Sequence, residues 1–235
     1  MHEKNIIKVG VLICNNKESV RYPGKNEALR IHSFNWLFDE CVMYCRDMEV
    51  FGVELLNPCD RHVGSEFDVE APNGIVHRFA KKAMTAAALH LDTVKNAMPF
   101  FYECDVVVLA QLTQPCRRPG LLRDCVVAAL SNRCRVACTY CEGLSNDWRV
   151  VVDDICGQHP DVVKLVPLYD GALYAWTPAS IDVEEVFDMT IPKTWVKNYT
   201  GEPVDVDYSW QHAGHAFSIF NEHLQKIYRN GHRRI

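Results

Sequence analysis

The run "IIKVGVLIC", residues 6–14, constrains this chain more than any other stretch. It is almost unbroken in apolar residues and rich in β-branched ones. Such a run predicts a strand covered on both faces, as in a parallel sheet. A polar loop follows, and then Phe34, Leu37, Phe38, Cys41, Val42 and Cys45 fall at helical spacing as one apolar stripe. The alternation recurs: residues 105–110, "DVVVLA", predict a second buried strand. Pro119 then opens a helix with Leu121, Leu122, Cys125, Val126, Ala129 and Leu130 on one face. The stretches "RVACTYC" and "GALYAWTP" predict further strands, and "PVDVDYSW" a short one before a helix over residues 210–228. Ile75, Phe79, Ala83, Met84, Ala87 and Leu91 are spaced as another helical stripe. Strands alternating with helices make this an α/β chain with an open, mostly parallel sheet and flanking helices.

Residues 142–168 interrupt the pattern with polar sequence and read as an inserted arm within a single domain over residues 1–235. With 48% hydrophobic and 23% charged residues, the chain can bury one sizeable core. A net charge of −5 excludes a general nucleic-acid binder, and the basic end "RNGHRRI" reads as a solvated tail. No run approaches the roughly 20 apolar residues of a membrane helix, and the start lacks a secretory apolar stretch. The expectation is a cytoplasmic protein whose eleven cysteines are thiols, an odd count that suits no closed disulfide framework.

Ligands of open α/β sheets bind beyond the carboxyl ends of the strands. The loop "SVRYPGKN", residues 19–26, leaves the first strand at that edge. Gly24 lets the backbone approach a ligand closely, while Arg21 and Lys25 can pair with phosphate oxygens. The glycine spacings of a Walker loop or a dinucleotide fingerprint are absent. "AQLTQPCRRPG" places Gln111, Thr113 and Arg117 at the same edge. "VDVD" sets Asp205 and Asp207 two apart, on one face of a strand. Neighbouring carboxylates repel unless a cation lies between them, and Mg²⁺ is the hard, oxygen-seeking ion suited to phosphates.

These residues carry a family resemblance. "SVRYPGKN" resembles the "S-K-R-I-P-G-K-N" signature of the acylneuraminate (CMP-sialic acid synthetase) cytidylyltransferases. "VVVLAQLTQPCRRPGLL" resembles that family's "vvlLQPTSPLR" segment, "DGALYAWTPASI" its "NGAIYI" strand and "VDVD" its "IDID". The four motifs occur in the family's order over nearly the whole chain. The resemblance implies a Rossmann-like, nucleotide-diphosphosugar-transferase-like fold and a homodimer built through the inserted arm. It implies attack of a sugar-acid anomeric hydroxyl on the α-phosphate of CTP, with release of pyrophosphate. By the same resemblance Asn16, Lys17, Ser19, Arg21 and Lys25 contact the nucleotide, and Asn26, Gln111, Thr113 and Arg117 the sugar acid. Asp205 and Asp207 carry Mg²⁺, and Lys25 and Asp207 serve catalysis. The sequence departs from the family pattern at Asn16 and Leu168, where the family keeps arginine, and at Val20, where it keeps lysine. A nucleotide-sugar-binding homologue without turnover, or an enzyme of another NTP, is the alternative.

Cys134, Cys138 and Cys141 form a C-x3-C-x2-C spacing that iron–sulfur ligation could use. They stand in an apolar, β-prone run, however, and a buried strand is the expectation there. His212 and His215 are three apart on the last expected helix and read as part of its polar face.

Overall fold

The computed structural model describes residues 6–15, 25–56, 67–70, 76–83, 90–131, 134–144 and 165–200. The chain opens with β1 (Ile7–Asn15), α1 (Lys25–Met43) and β2 (Met48–Leu56). Next come β3 (Phe67–Glu70), β4 (Val76–Ala83) and α2 (His90–Ala97), which runs into a single 3₁₀ turn, Met98–Phe101. After β5 (Val106–Ala110) and α3 (Leu121–Ser131) follow β6 (Val136–Leu144), β7 (Leu165–Trp176), α4 (Val183–Phe187) and β8 (Thr194–Thr200).

One sheet of eight strands results, in the order β3-β4-β2-β1-β5-β7-β6-β8. β4, β2, β1 and β5 run parallel, and β6 and β8 run the same way. β3 at one edge and β7 between β5 and β6 run against them. This is the mostly parallel α/β sheet that the strand runs predict. β1 is central because its sequence offers apolar side chains to both faces: Val9, Val11, Leu12 and Ile13 are all fully buried. Val9, Val11 and Ile13 face Leu29 and Leu37 of α1 and Leu121, Leu122 and Cys125 of α3. Leu12 faces the other layer, with Val94 of α2, Phe101, and Val183 and Val186 of α4.

Gly10 lies on this second face. A Cβ there would stand 2.2 Å from Cδ1 of Phe101, so the ring packs directly on the β1 backbone. Phe51 of β2 stacks on the same ring at 5.8 Å between centroids.

Several sequence expectations change. The helical stripe through Ile75, Phe79, Ala83, Met84, Ala87 and Leu91 is not a helix over its first half. Val76–Ala83 is β4, paired parallel with β2 and antiparallel with β3. A spacing of four is even, so it marks one face of a strand as well as one face of a helix. Leu91 does lie in a helix, α2, while residues 84–89 are outside those described. α1 begins at Lys25, well before the first residue of its apolar stripe, Phe34. Of the expected arm, residues 142–144 belong to β6 and 165–168 to β7, paired Glu142↔Pro167 through Leu144↔Leu165, and residues 145–164 are outside those described. The expected strand at 203–210 and the helix over 210–228 are also outside them.

Gly10→Ala must displace Phe101 and part of the layer beneath it. Overpacking of this kind costs about 1–3 kcal/mol, measurable as a lowered midpoint in urea unfolding; a midpoint unchanged within error contradicts this packing.

Candidate functional site

β1 and β5 are hydrogen-bonded neighbours, Ile13↔Ala110, yet the chain leaves them in opposite directions. From β1 it turns through α1 to β2, and from β5 through α3 to β6 on the far side of β7. Diverging strand ends open a crevice at the carboxyl edge of the sheet, the usual ligand position in this architecture. β6 and β7 continue past that edge. Ala110 pairs with Leu173, whereas the β6–β7 ladder runs on to Leu144↔Leu165 and so walls the crevice on one side.

Lys25 and Asn26 form the first turn of α1, which enters from this edge. Asn16, Lys17, Ser19 and Arg21, in the connection between β1 and α1, are outside the described residues, as are Asp205 and Asp207, and with them His212 and His215. Gln111 and Thr113 lie immediately beyond β5, both half-buried. The Gln111 N–H donates to the Ala172 carbonyl at 3.2 Å, which fixes the start of the turn against β7. Among the described residues neither side chain of this pair makes a hydrogen bond, so both are available to a ligand. Gln111 and Thr113 are thus brought to the edge that also receives the end of β1 and the start of α1.

Arg117, expected to contact the sugar acid, has its side chain turned inward and is 2% exposed. Nη1 donates to Ser33 Oγ at 3.2 Å, Nη2 donates to the Gln111 carbonyl, and the guanidinium sits 4.6 Å from the centre of the Trp36 ring. Among the described residues its Nε is buried with no partner, and Trp36 Nε1 is likewise unpartnered. Burial pushes the guanidinium down to about 10, with Cys116, Asp170 and Glu40 pulling it up, so it stays charged at neutral pH. Leu168, at the position of a family arginine, is 2% exposed and packs in the core beneath α3, so no cation is presented there.

Two polar residues to which motif reading gives no role organise this edge. Glu40, in the middle of α1 and 1% exposed, accepts hydrogen bonds from the Gly120 N–H at 2.6 Å and the Leu122 N–H at 3.0 Å. It caps α3 from another helix, satisfying donors that the first turn cannot satisfy itself. Burial pushes its carboxyl up to about 7, against the two backbone donors and Arg118, which pull it down. Asp170 is fully buried at the start of the apolar half of β7 and accepts from Thr139 Oγ1, from the Ala172 N–H at 3.0 Å and from Asn198 Nδ2 at 2.9 Å. Burial raises its carboxyl above the usual range, opposed by those three donors and by Arg117. Asp170 is a lone charged residue in an apolar run, whereas Glu40 stands beside Asp39 and has no such signal.

Among the described residues no group of three or more His, Cys, Asp or Glu side chains is placed to hold a metal ion. Cys138 and Cys141 are fully buried within β6, and burial pushes the Cys138 thiol up to about 12. A buried strand, not a cluster-binding loop, accounts for their spacing. No described helix is long and apolar enough to cross a membrane.

No protein-family model matches the chain, and no curated protein matches it by sequence. Its fold is nevertheless similar to solved structures. One is CMP:2-keto-3-deoxy-manno-octonic acid synthetase complexed with CTP, at 11% identity and a TM-score of 0.55, covering 93% of this chain and 99% of that one. Another is 4-diphosphocytidyl-2C-methyl-D-erythritol synthase from Anaerococcus prevotii DSM 20548, at 10% identity and a TM-score of 0.50, covering 88% and 95%. At these identities the likeness establishes the fold, the nucleotide-diphosphosugar-transferase-like sheet that the sequence motifs imply.

The raised carboxyl of Glu40 gives a pH dependence with a definite sign. Its folded pKa, about 7, lies above its ordinary value of 4.5, so its contribution to stability is full below 4.5 and is lost as pH rises through 7. Wild type should therefore lose stability relative to Glu40→Gln between pH 5 and 8, by on the order of 3 kcal/mol. Thermal melts of both proteins across that range check it, and parallel curves contradict it.

Proposed function

We propose that the chain is a CTP-dependent cytidylyltransferase that activates a sugar acid, of the sialic-acid or related 2-keto type, as its CMP derivative. The observation that carries this reading is one of placement. The basic loop that resembles a nucleotide-gripping motif joins β1 to α1, and the Gln111–Thr113 turn with its free side chains follows β5. The strands they follow, β1 and β5, are paired neighbours in the sheet, and the fold is similar to that of an enzyme solved with CTP.

In this reading Lys25, at the start of α1, neutralises triphosphate charge, aided by the helix dipole and by Arg21, Lys17, Ser19 and Asn16 in the preceding loop. Asn26, Gln111 and Thr113 orient the sugar acid. The anomeric hydroxyl oxygen forms a bond to the α-phosphorus, the bond from that phosphorus to the bridging oxygen breaks, and the hydroxyl proton passes to solvent as pyrophosphate leaves. The protein contributes position and charge neutralisation, and no covalent intermediate is needed. Asp205 and Asp207 are the residues assigned to Mg²⁺, which supplies charge neutralisation at the phosphates when bound. A homodimer joined through the arm expected over residues 142–168 completes the proposal.

A second reading has its own support. Asn16, Val20 and the buried Leu168 all stand where the resembled family keeps cations, which favours a homologue that binds the nucleotide without turning it over.

A pyrophosphate-release screen crossing four NTPs with several 2-keto sugar acids separates the readings. The expected result is release with CTP and Mg²⁺ and one of the acids. No release, together with a CTP-dependent rise in melting temperature, replaces the enzyme with the binding protein. In an active protein, Lys25→Ala should lower kcat/KM for CTP by about 10²-fold and Asp207→Ala should abolish turnover, both at an unchanged melting temperature. Full activity in either variant removes that residue from the site.

A further inference from the structure

Residues 111–118 form no helix or strand, yet Gln114, Pro115, Cys116 and Arg117 are buried. A buried irregular segment has to find partners for its backbone polar groups, because the sheet ladder does not supply them. The partners here come from β7 and β8. At the start of the segment, the Gln111 N–H donates to the Ala172 carbonyl of β7. At its end a single side chain of β8 takes both neighbouring groups: Asn198 Nδ2 donates to the Cys116 carbonyl at 2.7 Å, and Asn198 Oδ1 accepts from the Arg118 N–H at 3.0 Å. The same Nδ2 donates to Asp170 Oδ2, and Asp170 is tied through its other oxygen to the Ala172 N–H. Thr139 of β6 closes the chain of contacts. Its hydroxyl donates to Asp170 and accepts from the Leu173 N–H at 3.0 Å.

Both ends of the segment are therefore referenced to Ala172 and Leu173 of β7, at the point where β7 meets the end of β5. Between those ends stand Gln111 and Thr113. Arg117 and the contact of His32 Nε2 with the Pro115 carbonyl, at 3.0 Å, hold the opposite side of the segment on α1. We infer that Asp170, Asn198 and Thr139 act as positioning residues, a clamp that sets the Gln111–Thr113 turn and through it the acceptor side of the crevice. They touch no substrate themselves. The consequence for the reaction rests on the cytidylyltransferase reading, whereas the clamp itself does not.

The experiment uses the full-length protein and two readouts. Hydrogen exchange without ligand compares wild type with Asn198→Ala, Thr139→Val and the conservative Thr139→Ser. Loss of the clamp should raise exchange of the amides in residues 111–118 by about tenfold in the first two variants. Residues 106–110 of β5 should keep wild-type exchange, and Thr139→Ser should behave as wild type. Unchanged exchange in 111–118, or a rise spread equally over β5 and β7, overturns the clamp, whether or not the protein turns over any substrate. With an active protein, KM for the sugar acid should rise about tenfold in Asn198→Ala while KM for CTP stays within about twofold. A mobile segment with an unaltered acceptor KM overturns the link to the acceptor side.

Discussion

The arrangement of this crevice depends on burying one arginine. Arg117 is charged, almost fully enclosed, and among the described residues has no carboxylate within ion-pair distance. A buried charge is tolerated only when its donors are engaged and the surroundings are polarisable. Arg117 engages both Nη groups with the Ser33 hydroxyl and the Gln111 carbonyl and lays its guanidinium against Trp36, while Nε has no partner among the described residues. Two of the three lie on α1 and the third is the residue that opens the turn beyond β5. The cation thus holds the turn against the helix whose first residues are Lys25 and Asn26. The described contacts of Arg117 are those of a brace between α1 and this turn.

Glu40 extends the same logic to the next element. It lies seven residues after Ser33 on α1 and takes up the free N–H groups at the start of α3, so α1 supports both the segment 111–118 and the helix that follows it. Ion pairs lie further out, Arg118 with Asp124 and Arg123 with Asp47, both partly exposed and worth little individually. The crevice is therefore framed by buried polar contacts between α1, β7, β8 and one irregular segment. The apolar layers beneath it supply most of the stability and none of the chemistry.

The parts legible in sequence were those with a local period. β1, β5 and α3 are continuous apolar runs or clean helical stripes, and they form within a residue or two of where the runs predict. β4 was illegible because even spacing serves helix and strand alike, and because its identity comes from pairing with β2 and β3, which composition does not record. At the site, "AQLTQP" after a buried strand was enough to place Gln111 and Thr113 at the edge. Arg117 could not be oriented from its neighbours, since its partners Ser33 and Trp36 are more than 80 residues away in sequence. Asp170 and Asn198 share that property: their purpose appears only when β6, β7 and β8 lie side by side.

The central claim is that CTP lies across the carboxyl ends of β1 and β5. A crystal structure of the full-length protein with CTP and Mg²⁺ tests it most directly. The account predicts triphosphate against residues 16–26 at the start of α1, with the open side of the α-phosphate facing Gln111 and Thr113. Nucleotide bound at any other edge, or a crevice empty at saturating CTP, contradicts it.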